Sequence, residues 1–330
     1  MPKRRTLLGA AGCLLMSAVL TGCERSSHST LEPSGPKSDI VTVSWWILFA
    51  VAAAVCVLVT VLAVVPAMRR RRRQAKGGDG KKFVMVCGVI LPAIVLMATF
   101  ALSLTDLATN ASPPRPANLT VDVVGHRWWW EVRYEGSGAV TANEIHVPVG
   151  TPVRLRLQTA DVIHSFWVPE VMPKVDLLPK RVNETWMSVT RPGTYRGQCA
   201  EYCGLQHAHM AFLVVAQPRA EFQSWLTRQA QDAAPPTSAE AKLGLTVLTQ
   251  SSCATCHTVR GTSANGDVGP DLTHVGGRQR LAAGAIPNDF GHMSGWVANS
   301  QTVKPGNRMP PQHLSPDDLR AVVTYLQGLE

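Results

Sequence analysis

A surplus of basic charge is missing from most of this chain of 330 residues. Of the formal +9, Lys3, Arg4 and Arg5 account for +3 and the stretch from Arg69 to Lys82 for +7, which leaves −1 for everything else. A charge excess confined to two short stretches excludes a nucleic-acid-binding face. Internal repeats are also missing, so a solenoid is excluded. The two long apolar runs contain no acidic residue, so this chain offers no row of intramembrane acids for proton uptake. What remains is a chain with 45% apolar residues, long enough for two compact domains.

The N-terminus, "MPKRRTLLGAAGCLLMSAVLTGCE", has a charged start, an apolar stretch and small residues before a cysteine, the pattern of an export signal over residues 1–22. "LTGC" resembles the bacterial lipobox, which makes Cys23 the expected site of lipidation at the head of a mature segment, 23–42. The apolar runs, Val43 to Val65 and Phe83 to Leu104, are each above twenty residues and long enough to span a hydrocarbon core of about 30 Å. Pro92 is tolerable inside the second, because the backbone group it frees can be satisfied locally. Between them lies a basic loop, 66–82, and short loops of this kind stay on the cytoplasmic side. The expectation is a membrane-anchored, multi-pass protein of the bacterial inner membrane, with everything after Leu104 on the outer, periplasmic side.

Beyond the hairpin of 43–104, the pattern changes twice. From 115 to 218, segments such as "NLTVDVVGHRWWWEVRYE" and "TPVRLRLQTA" alternate in the manner of strands, with Gly- and Pro-rich turns between them. They predict an all-β Greek-key sandwich or barrel. Residues 219–238, which include "TRQAQDAAPPTS", read as a linker. From 239 to 330 the pattern is helical. A helix is expected over Ala239 to Gln250, and another over "SPDDLRAVVTYLQGL", with Ser315 as N-cap and Leu319, Val322, Val323 and Leu326 on one stripe.

Four of the eight cysteines fall in the exported part, where two disulfides would be the plain expectation. Their neighbours argue otherwise. "CATCH", 253–257, has the spacing that lets Cys253 and Cys256 form thioethers to a haem while His257 ligates the iron. The sixth ligand must come from Met309, Met293, His292, His274 or His313. Upstream, "GQCAEYCGLQHAHM" sets Cys199, Cys203, His207 and Met210 in a C-x3-C-x3-H-x2-M pattern. Soft thiolates, an imidazole and a thioether select copper or zinc, and the weak methionine favours copper. Two thiolates allow a pair of coppers bridged by both sulfurs, each needing one terminal imidazole. His207 supplies one and the other must come from elsewhere.

"DVIHSFWVPE" (161–170), "GHRWWW" (125–130) and "CAEYCGLQHAHM" resemble the signature segments of cytochrome c oxidase subunit II, over roughly Val43 to Pro218. The resemblance implies a cupredoxin-like domain holding the dinuclear copper centre CuA. His164 and His207 would be its terminal imidazoles, Cys199 and Cys203 its bridges, Met210 a weak axial ligand and the Glu201 carbonyl the last ligand. The Glu201 carboxylate would reach a Mg²⁺ shared with the large subunit, Trp128 would receive electrons, and Trp129 and Trp130 are left as packing residues. Asp161 and Asp176 match acidic positions of the family. The tail looks like the bacterial caa-type variant, in which an all-α class I cytochrome c domain is fused behind the copper domain. "KPGNRMPP" resembles the loop of small bacterial cytochromes c that offers its methionine to iron, which favours Met309; His292 and Met293 are expected on the surface.

The implied function is that of a proton-translocating cytochrome c oxidase. Electrons would come from cytochrome c or a cytochrome bc complex, pass from the haem to CuA, and leave for the haem of subunit I, where O2 becomes water, with subunit III a further partner. The competing readings are a lipid-anchored copper and haem carrier working alone, or the corresponding subunit of a quinol oxidase or a nitric oxide reductase. Quinol oxidase relatives lack the copper ligands, which are complete here.

Overall fold

A computed structural model describes residues 28–68 and 80–330. The signal segment 1–22, Cys23 and residues 69–79 of the basic loop lie outside the described residues. Helix α1 runs Pro36–Met68 and helix α2 Gly80–Ala111, both longer than the charge-free runs alone indicate. Each is long and apolar enough to cross a membrane, and Cys56 and Cys87 are exposed on their surfaces. In α2 the ladder widens to a π-turn at Val86–Ile90, just before Pro92. A proline has no N–H to give and crowds the carbonyl one turn back, and a π-turn absorbs both defects without a break. The outer ends of the helices are tied to the next domain. Ser34 N donates to the Glu170 carbonyl at 2.6 Å and Trp186 Nε1 to the Asn110 carbonyl at 3.0 Å.

The β domain consists of β1 (Leu119–His126), β2 (Trp129–Tyr134), β3 (Val140–Ala142), β4 (Glu144–Pro148), β5 (Val153–Thr159), β6 (His164–Val168), β7 (Met172–Leu177), β8 (Asn183–Met187), β9 (Gly193–Cys199) and β10 (Ala211–Gln217). They form two five-stranded sheets, ordered β3-β2-β1-β5-β8 and β4-β10-β9-β6-β7. The pairs β1–β5 and β4–β10 are parallel, so the chain crosses between sheets in the Greek-key manner. Alternation fixes which face is inside: in β5, Val153, Leu155 and Leu157 are buried while Arg154 between them is exposed. Trp130, Phe166 and Phe212 meet ring to ring between the sheets. Phe212 lies so close to β9 that a Cβ on Gly197 would sit 2.2 Å from its ring, so this strand position has room only for glycine.

The segment expected as a linker departs from that reading. Its first half is a helix, α3 (Arg219–Gln229), which packs Phe222, Trp225 and Leu226 on the β core, with Trp225 stacked 3.9 Å from His146. These residues stand at i, i+3 and i+4, an apolar stripe that the polar composition of the whole span hides.

The C-terminal domain has its own core. Helix α4 (Ala239–Gln250) is capped by Ser238, a single turn α5 covers Cys253–Cys256, α6 is Phe290–Ala298, and α7 (Pro316–Gln327) is capped by Ser315 with Pro316 in its first turn. Between α5 and α6 a short ribbon pairs β11 (Arg280–Leu281) with β12 (Ile286–Pro287). Helices α4 and α7 cross at Gly244, where a Cβ would lie 2.0 Å from the Ala321 carbonyl. The obstacle is backbone, so Gly244→Ala is expected to separate the two helices and destabilise this domain by about 3 kcal/mol. Hydrogen exchange of the α7 amides checks this, with faster exchange expected there and none of the acceleration in β5 or β10.

Candidate functional site

The loop from Cys199, last residue of β9, to Met210, just before β10, is closed at its base by the Cys199 N–H donating to the Met210 carbonyl at 2.9 Å. A second strap, from the Ala200 N–H to the Ser165 carbonyl at 2.9 Å, ties the loop to β6, the strand that begins with His164. Two separate parts of the fold thus meet at one point. Cys199 Sγ lies 3.8 Å from Cys203 Sγ, 3.7 Å from His164 Nδ1 and 3.1 Å from the Glu201 carbonyl. Cys203 Sγ lies 3.6 Å from His207 Nδ1 and 3.8 Å from Met210 Sδ. All six residues singled out in the sequence converge, and His209, which instead bonds Gln206, stays outside.

Electrostatics say what this cluster wants. The hydrogen bond shared by the two sulfurs, with the His164 bond, pulls the Cys199 thiol far below its ordinary value, while the same bond and burial push Cys203 up. The pair therefore shares one proton in the absence of a metal, because two thiolates this close in a buried site repel. A soft cation in that place removes the conflict, so the donor set fits copper or a like metal. His164 is aimed by its other nitrogen: Nε2 donates to Asp161 Oδ1 at 2.9 Å, leaving Nδ1 to face the sulfurs. Burial lowers the His164 pKa, but the bonds to Asp161 and Cys199 outweigh it and the net shift is upward. Burial likewise opposes ionisation of Asp161, yet bonds from His164 and from the Val162 and Arg127 N–H groups hold its carboxyl below the ordinary range.

A cleft beside this cluster is lined by Cys253, Cys256, His257, Met293, Met309 and Trp128. His257 Nδ1 donates to the Pro270 carbonyl at 2.8 Å and burial lowers its pKa, so the imidazole is neutral with the Nε2 lone pair available. A Cβ on Gly269 would lie 2.5 Å from this ring, so the backbone can pass it only as glycine. Arg278 is buried at the cleft wall with its Nε unpartnered, a vacancy that a carboxylate carried by a haem in the cleft would fill. The residues present therefore fit a haem.

The two candidate methionines differ from expectation in one respect. Met293 is not on the surface: it is 2% exposed, with its sulfur 3.5 Å from Gln327 Nε2, because α6 turns that face onto α7. Met309 is half-buried on a loop held by Met309 N to Asn307 Oδ1 at 2.8 Å and by Ser300 Oγ to the Met309 carbonyl at 2.6 Å. His292 is exposed and pairs with Asp289, whereas both His274 nitrogens face carbonyls, of Glu330 and Gln231.

Trp128 bridges the cluster and the cleft. Its indole N–H donates to the Cys203 carbonyl at 3.0 Å, and Gly204, at φ +113°, passes the ring so closely that a Cβ would lie 3.0 Å from Cζ2. Trp130 is a core residue as expected, but Trp129 stacks on His126 at 4.3 Å and lines the cleft. Lys304 was not singled out in the sequence, where a lysine next to proline and glycine reads as an exposed turn. It is 3% exposed, and burial lowers its amine pKa to about 7.

Comparison with known proteins gives the family. Residues 137–217 match the family Cytochrome C oxidase subunit II, periplasmic domain, and residues 241–330 match Cytochrome c. Cytochrome c oxidase subunit 2 of Alkalihalophilus pseudofirmus is 31% identical over 330 residues, spanning 96% of this chain and 95% of that protein. The protein of the same name from Bacillus sp. (strain PS3) is 34% identical over 346 residues, with 96% and 95% covered. A solved periplasmic domain of subunit II of cytochrome oxidase from Bradyrhizobium japonicum is 34% identical, covers 34% of this chain and 93% of that one, and gives a TM-score of 0.33. The chain belongs to the cytochrome c oxidase subunit II family, in the form that carries a cytochrome c domain behind the copper domain. It is accordingly a subunit of a haem-copper oxidase, and its two matched domains imply CuA and a haem.

Two tests address the ligand set. Asp161→Asn keeps the shape but weakens the hold on His164, so copper affinity is expected to fall about 10–100-fold, read by competition with a chelator. Met309→Ala is expected to remove the weak long-wavelength haem band that marks sulfur ligation, whereas Met293→Ala should keep that band and lower the melting temperature through the cavity it leaves.

Proposed function

We propose that this chain is the subunit through which electrons enter the oxidase, at a haem held by Cys253, Cys256, His257 and Met309. Cys199, Cys203, His164, His207, Met210 and the Glu201 carbonyl hold the two coppers of CuA, and the Glu201 carboxylate faces a Mg²⁺ at the boundary with subunit I. When bound, these groups supply one-electron redox chemistry, from haem to CuA and on to the haem of subunit I, where O2 is reduced. The protein's own part is to fix distances, keep water out and hold the ligands in one geometry, so that little reorganises when charge moves.

The observation that carries this reading is the place of Trp128, with one edge on the cleft above "CATCH" and its N–H on the Cys203 carbonyl. A carrier domain working alone would have no reason to press its cleft against the ring beside a second metal cluster. Helices α1 and α2 anchor the unit as a two-span hairpin in the bacterial inner membrane, with subunit I as the partner and subunit III beside it. Cytochrome c or a cytochrome bc complex serves as donor, and Cys23 as a lipid anchor.

Trp128→Phe is expected to slow the exchange between haem and CuA while the absorption of both is retained. Stopped-flow reduction of the assembled oxidase measures it. A wild-type rate would remove Trp128 from the route.

A further inference from the structure

The loop that carries Met309 makes a second set of contacts at its other end. Lys304, Pro305 and Gly306 lie against the copper loop and Trp128, and each touches the β domain in its own way. Lys304 Nζ donates to the Trp128 carbonyl at 2.8 Å and to the Ala282 carbonyl at 3.3 Å. The Pro305 carbonyl accepts from the Gln206 side-chain amide at 2.8 Å, one residue before His207. Gly306, at φ +81°, passes Leu205 so closely that a Cβ would lie 2.9 Å from its Cδ1. Three consecutive residues of the cytochrome domain are thus fitted to three residues of the copper domain, a few positions before Met309.

The chemistry of Lys304 is unusual for a domain boundary. Its ammonium is buried, makes no salt bridge among the described residues and is hydrogen-bonded by carbonyl oxygens, with the Cys203 sulfur near enough to favour its charge. Burying a charge with neutral partners costs stability, and an apolar side chain of equal length would fill the space at less cost. What the ammonium provides, and an apolar chain does not, is a directed bond to one particular backbone atom, the Trp128 carbonyl.

We propose that Lys304 is a positioning residue for electron transfer, clamping the haem-bearing loop to the backbone of Trp128 and fixing the separation between the cleft and the copper loop. This rests on the reading of Trp128 given above. The step it serves is a one-electron exchange in which the haem side is oxidised and the copper side reduced, with no proton moved.

The test uses the assembled full-length oxidase, with the haem reduced by a light-triggered reductant and CuA followed by its near-infrared absorption. Lys304→Met is expected to slow the exchange about tenfold or more, with the haem sulfur band and the near-infrared band both intact. The exchange should not vanish, because the covalent tether still holds the domain at about millimolar effective concentration. Lys304→Arg, which keeps the charge and donors, is expected to recover most of the rate, a rescue that a purely space-filling role would not give. Gln206→Ala, which removes the second contact, is expected to slow the exchange by a smaller factor and decides the matter if Lys304→Met does not assemble. Wild-type rates in Lys304→Met and Gln206→Ala, with Trp128→Phe slow, would overturn the clamp and leave the Trp128 reading standing. Wild-type rates in all three would overturn both.

Discussion

Two buried sulfurs 3.8 Å apart cannot both carry charge unless something positive stands between them. That constraint organises the molecule around the loop from Cys199 to Met210. Left alone the pair keeps one proton, and a metal that replaced it would need further donor atoms already close by. The sandwich provides them. Strand β9 delivers Cys199, β6 delivers His164 from the other side, and the straps to Met210 and Ser165 hold the loop ends together. The large aromatic cluster of Trp130, Phe166 and Phe212 packs beneath, which is why the loop sits on a floor that does not yield.

The same loop also forms the seam between the two domains. Its Gly204 lies on Trp128, its Leu205 and Gln206 meet the cytochrome loop, and its Cys203 carbonyl receives the Trp128 indole. A second clasp sits farther away, where the buried Glu144 carboxylate accepts from the Gln279 N–H at 2.6 Å and Arg260 reaches the Gly138 carbonyl at 3.0 Å. The cleft and the sulfur cluster are therefore parts of one site assembled from two cores.

Much of this was legible in the chain. "CATCH" and the C-x3-C-x3-H-x2-M spacing point to side chains that the fold brings together, because soft-metal and haem chemistry tolerate few alternatives at such spacing. The alternation of β5 and the capped helix after Ser315 follow from side-chain period and cap chemistry alone. Three features were not legible, each for a physical reason. The α3 helix is hidden because three apolar residues in a polar stretch say nothing until a core is there to receive them. Met293 was expected outside because a methionine between histidine and serine gives no sign of which way a nine-residue helix will roll. Lys304 gives no sign in the sequence, because a buried lysine is rare and its partner is a carbonyl 176 positions away.

The α3 helix has a consequence of its own. By docking Phe222 and Trp225 on the sandwich, it takes the first half of the connecting segment out of play and leaves only residues 231–238 to act as a leash. Fully stretched, eight residues reach about 28 Å. A cytochrome head that lets go of its partner surface thus stays within a small hemisphere around the end of α3. The tether thus limits how far the cytochrome domain can stray from the copper domain on which it docks, whatever surrounds the two.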